Sequence, residues 1–177
     1  MSDLARAVLL LSAAVNPPRL AGLTSRLGRA PVAGGAALGG AVLTVLAVAS
    51  GPLLDGLEIS EPTLRVAAGL VAAAAGLWHL VGPAPSPWDV GPGRGASLAP
   101  VAFPVLLRPE VVLSALSTGA QDGVWVAVLA STVALALGGL ALVRPADSRV
   151  VRAAGRLVGA LLVVLGVALV VGGVLAV

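Results

Sequence analysis

Residues 98–116, "LAPVAFPVLLRPEVVLSAL", read as one membrane-buried run interrupted near its centre. There Arg108, Pro109 and Glu110 set two opposite charges and a helix breaker side by side. A charge in mid-bilayer costs about 2.5–3.5 kcal/mol on insertion scales, so such a residue faces the protein interior or water rather than lipid. Proline lacks the N–H that would reach the carbonyl four residues earlier, and it pushes the residue before it out of helical geometry. Pro109 therefore frees the Val105 carbonyl. A second run has the same character: residues 8–23, "VLLLSAAVNPPRLAGL", hold Pro17 and Pro18 between Asn16 and Arg19, which frees the Ala13 carbonyl. In hydrocarbon an unpaired backbone group costs several kcal/mol unless it lines a protein cavity or water.

The chain around these two runs is membrane-like throughout. Of 177 residues, 58% are apolar and 11% charged, against roughly 45–50% apolar in soluble domains. The mean hydropathy is +1.05. An all-α polytopic membrane protein follows, with six apolar runs near 4–24, 32–53, 62–82, 98–118, 123–143 and 154–177, each close to the ~20 residues a helical span needs. The connection 83–97, "PAPSPWDVGPGRGAS", is rich in Pro and Gly and reads as an irregular linker. It divides the chain into a first three-helix repeat, 1–82, and a second, 98–177.

Arginine placement sets the orientation. Arg19, Arg26, Arg29, Arg94, Arg144, Arg149, Arg152 and Arg156 fall in the connections on one side, while Arg6 and Arg65 fall on the other. By the positive-inside rule the arginine-rich side is cytoplasmic and both termini lie outside. The run "LLLSAAV" near the start suggests a signal peptide, but Asp3 offsets Arg6, so the first span is expected to be retained. Three spans per half is an odd number. The halves therefore enter from opposite sides, the layout of inverted repeats with broken helices and a shared site near the midplane.

Several function classes are excluded. No cysteine is present, which removes thiol chemistry and Cys-based metal or cluster sites. One histidine and few acids make a metal site an unfit reading, and no cofactor is indicated. The sequence pI of 11.3 does not imply nucleic acid, because the arginines are scattered rather than gathered on one face. "GPGRG" at 91–95 lacks the Lys and Ser/Thr of a phosphate loop, so any transport is secondary or facilitative. No zincin motif or Ser-His-Asp arrangement appears, and no catalytic residue is assigned.

Arg108 admits three readings. It could belong to a structural ion network with Glu110 and Arg19. It could receive a substrate carboxylate, helped by half-helices starting at Pro17 and Pro109. Or it could snorkel to the surface with Arg19. Two positions apart on an intact helix, Arg108 and Glu110 point to different sides; a bend at Pro109 would let them meet, but the favoured expectation pairs Glu110 with Arg19 and Arg108 with freed carbonyls or an anion. His79 and the three tryptophans, Trp78, Trp88 and Trp125, fit interfacial anchors or packing. Gly35, Gly39, Gly69, Gly76, Gly138, Gly139, Gly155 and Gly159 fit close helix packing within the bundle, or a homo-oligomer face. Ser60 and Pro62 read as the start of the third helix.

The stretch 56–81, "GLEISEPTLRVAAGLVAAAAGLWHLV", resembles the segment between the second and third spans of the MarC family of six-span inner-membrane proteins. Ile59, Ser60, Pro62, Arg65, Ala67, Ala68 and Gly69 carry the resemblance. "APVAFPVLLRPEVV" at 99–112 is similar to the family's fourth span at Pro100, Pro104 and Pro109, and "VNPP" at 15–18 to its first at Asn16 and Pro17. The resemblance implies two inverted three-helix repeats and a small neutral amino-acid transporter of the inner membrane. Arg108 and Glu110 stand where that family has glycine, and Pro18, Arg19 and Leu20 replace its pattern after the first proline. The expectation is thus a secondary transporter or exporter of an amino acid or related metabolite. Its substrate would be met by Asn16, Pro17, Arg19, Pro104, Arg108, Pro109 and Glu110. The alternative is a non-transporting membrane scaffold.

Overall fold

The computed structural model describes residues 2–21, 29–83, 97–142 and 149–177. The elements are α1 (Asp3–Val15), α2 (Pro17–Leu20), α3 (Arg29–Gly56), α4 (Glu61–Val81), a π-helical segment (Ser97–Leu106), α5 (Pro109–Gln121), α6 (Val124–Leu142) and α7 (Arg149–Val174). Among the described residues four helices are long and apolar enough to cross a membrane: Ala30–Gly56, Glu61–Val81, Val124–Leu142 and Arg149–Val174. The two runs with interior prolines are each divided into shorter pieces. The 13 residues of α1 rise only about 20 Å at 1.5 Å per residue, short of a ~30 Å hydrocarbon core.

Both interruptions follow from local chemistry. Asn16 adopts the left-handed region (φ 50°, ψ 66°) and donates its N–H to the Ser12 carbonyl, a role that Asn fills more readily than most side chains. Pro17 then starts α2, where a missing N–H costs nothing. Arg108 is extended (φ −82°, ψ 155°), and Pro109 opens α5 behind it. Pro52 also lies inside a helix, but near its end, and α3 continues to Gly56. Ser60 caps α4 as read from the sequence, its side chain accepting from the Thr63 N–H.

Helices α4 and α7 make the closest pairing and run antiparallel. Gly69 faces Gly166 and Gly76 faces Gly159: a Cβ built on Gly69 would stand 2.6 Å from the Gly166 oxygen, and one on Gly76 2.7 Å from the Gly159 oxygen. The seven-residue steps of glycine on both helices let the backbones touch where any side chain would force them apart. The middle helices α3 and α6 pack on each other, α1 and α2 lie against α6, and the π segment and α5 lie against α3. Large apolar side chains such as Val45, Val48, Leu70, Leu157 and Val164 point outward, as lipid-facing surfaces do. Trp78 and Trp125 are exposed too, while Trp88 and the linker around it lie outside the described residues.

Candidate functional site

The two interruptions meet. Arg108 and Arg19 donate to three carbonyls that lack their usual helical donor, those of Val105, Val15 and His79. Pro109 has no N–H for Val105, and Arg108 Nε donates to that oxygen at 3.0 Å. At the end of α1 the Arg19 N–H turns to Asn16, leaving the Val15 carbonyl open, and Arg108 Nη2 donates to it at 3.0 Å. Pro83 stands four residues after His79 and cannot serve the His79 carbonyl. Arg19 Nη1 donates there at 2.8 Å, and its Nη2 donates to the Pro83 oxygen at 2.5 Å. Two cations thus sit at the negative C-terminal ends of α1 and α4, a favourable dipole arrangement.

His79 occupies the middle of this cluster. It is only 2% exposed, which favours packing over an interfacial anchor of the two readings given for it: Gly159 beneath it lets its Cβ approach α7, and Trp78 takes the outward position instead. Arg108 Nη1 lies 3.2 Å from its Nε2, and Asn16 Nδ2 lies 3.2 Å from its Nδ1. Asn16 Nδ2 also donates to the Gly155 carbonyl of α7 at 3.0 Å, which fixes the amide orientation. Arginine only donates, and an imidazole offers a lone pair on one nitrogen at most. The ring therefore faces two donors and can accept from one. Asn16 is completely buried, and its Oδ1 has no partner. The cluster holds an unmet acceptor beside a surplus donor, and a buried polar group left so costs about 1–3 kcal/mol.

Glu110 lies with its own neighbour rather than with Arg19. Its Oε1 stands 3.6 Å from Arg108 Nη1, because the extended conformation at Arg108 turns the two side chains to one side. Sequence spacing on an unbroken helix predicted the opposite. Pro104 and Pro109 point outward and are exposed, and Pro17 is half-buried; they shape the backbone and do not line the cluster with their side chains. The depth also differs from expectation. His79 is two residues from the end of α4, about 3 Å along its axis. The cluster therefore lies toward the arginine-rich connections, not at mid-helix. Among the described residues no three His, Asp or Glu side chains are grouped to hold a metal ion.

No family model, curated protein or solved structure matches the chain.

His79 is the cluster member that the sequence reading placed among anchors and packing residues rather than in the site. The signal was present: Pro83 frees its carbonyl, and the spacing of Gly69 and Gly76 turns the adjoining face of α4 inward.

Proposed function

We propose that the chain is a six-span inner-membrane transporter or exporter of a small zwitterionic solute, an amino acid or related metabolite, built from two inverted three-helix repeats. The observation that carries this reading is the Arg108–Val15 contact, in which a guanidinium on one broken run holds the carbonyl freed by the other. A zwitterion matches both partners once they separate. Its carboxylate takes the guanidinium and its ammonium takes the freed carbonyl. Asn16 and His79, with their unmatched acceptor and donor, add polar contacts for the same solute. Arg19 and Glu110 hold the cluster's shape, and the breaks at Pro17 and Pro109 provide the hinges for alternating access.

The packing supports the repeat arrangement. The first run of each half lies on the middle helix of the other half. The middle helices pair with each other, and so do the last helices, as a two-fold relation between halves requires. Arg6, which arginine placement assigns to the outer side, forms an ion pair at 2.5 Å with Asp122, the residue after α5. The MarC resemblance agrees with the plan, and both termini lie outside in this reading. Counterflow in proteoliposomes tests it with radiolabelled neutral amino acids, compared with analogues lacking the amine. Wild type should exchange the zwitterions and Arg108→Ala should lose at least ten-fold. Absence of flux with every solute sinks transport.

A second reading has its own support. Arg108 ties the two broken runs together through Val105 and Val15 and stands beside Glu110, as a structural cross-link would. A scaffold of that kind shows no flux, while its stability still depends on Arg108.

A further inference from the structure

We propose that the buried polar face of α5 is a hydrated path joining the Arg108–Glu110 cluster to the opposite end of the bundle. The proposal rests on the transport reading and assigns the outward part of the solute's route.

At 100° per residue, Glu110, Ser114, Ser117, Thr118 and Gln121 fall within an arc of about 100° on α5. They extend over about 16 Å of helix. The face is not turned to lipid, because α5 is enclosed by α1, α3, α4 and α6. Glu110, Ser114, Ser117 and Thr118 are all buried. At the far end Gln121 Nε2 donates to Ser117 Oγ at 2.5 Å, and the next residue, Asp122, holds Arg6.

Hydroxyls on apolar helices are ordinarily satisfied by the carbonyl one turn back, as Thr132 does toward Val128 at 2.8 Å. Ser114 Oγ does not do this. It is fully buried and without a partner, and so is Ser131 Oγ on the adjoining α6. A face built only for packing would carry the glycines and alanines that join α4 to α7. Unpartnered hydroxyls within a bundle mark positions where water completes the bonding.

The chain contains no cysteine, so each introduced thiol is unique. Ser114→Cys and Ser117→Cys are compared with Ala115→Cys and Leu116→Cys, which are also buried but off the arc. Full-length protein in sealed vesicles of known orientation is treated with a membrane-impermeant, positively charged methanethiosulfonate. The path predicts that the two arc thiols react at least ten-fold faster than the two controls, from the side that bears Asp122. Equal rates at all four positions overturn it. Should Ser114→Cys fail to fold, Thr118→Cys replaces it with the same expectation. Counterflow on the same vesicles separates the two claims. Flux without arc labelling refutes the path alone, and labelling without flux leaves a hydrated path in a protein that does not transport these solutes.

Discussion

Replacing Arg108 by alanine removes the donor from three buried acceptors at once. Val105 O, Val15 O and His79 Nε2 lose partners at 3.0, 3.0 and 3.2 Å, and Glu110 loses its cation. Each unmet buried acceptor costs about 1–3 kcal/mol. Breaking a buried pair from one side costs about 3–5 kcal/mol. The terms share one side chain, which is 20% exposed, so they do not add fully. The net expectation is about 3–5 kcal/mol. Glu110→Gln removes the anion 3.6 Å from a largely buried guanidinium and should cost about 1–3 kcal/mol, less than the loss of Arg108 because the guanidinium keeps its carbonyl partners. The double variant should remain within about 1 kcal/mol of Arg108→Ala, because the freed carbonyls stay unserved whatever stands at 110. Reversible unfolding by dodecyl sulfate in mixed micelles, followed by tryptophan fluorescence, measures all three. A cost below about 1 kcal/mol for Arg108→Ala, or wild-type stability in the double variant, would refute the view that this side chain replaces backbone donors.

The same assay reaches four further positions. Gly166→Ala should destabilise by about 1–3 kcal/mol through overpacking, since its Cβ would meet Ala73 N at 2.6 Å. Gly51→Ala, with nothing within 4 Å, should fall within about 1 kcal/mol of wild type. His79→Leu keeps the bulk but withdraws the acceptor from Arg108, and should cost about 1–3 kcal/mol. Arg6→Gln should cost no more than about 1 kcal/mol and matter less in high salt, because the Arg6 side chain is 37% exposed.

The interruptions were legible because they depend on a covalent fact, the absent N–H of proline, which acts within four residues of its position. Hence the sequence alone marks the Val105 carbonyl as freed, and freed carbonyls or an anion as partners for Arg108; the same rule marks Ala13, whereas Arg108 goes to Val15. The inward character of Gly69, Gly76, Gly155 and Gly159 was legible from spacing as well. Which helix each faces was not, since a period gives a face and no partner. The assignment of Glu110 to Arg19 failed for a related reason. The sequence shows which charges are in need, while the turn at Arg108 and the end of α4 decide what stands opposite them. The unmatched hydroxyl of Ser114 lay beyond sequence reading, because a local bond back to the preceding turn is equally open to any buried serine.

Cross-linking the interrupted end of the first run to α7 tests the account most directly. A Cβ on Gly155 would lie 3.7 Å from that of Arg19, within the 3.5–4.5 Å span of disulfides. The paired variant Arg19→Cys, Gly155→Cys should therefore oxidise within one chain. Because this end moves as solute passes, proteoliposomes holding the oxidised form carry less counterflow than the same sample after reduction, the reduced double variant rather than wild type being the reference, since Arg19 itself supports the cluster. Failure to cross-link, or equal flux in the fully oxidised and reduced forms, contradicts the account.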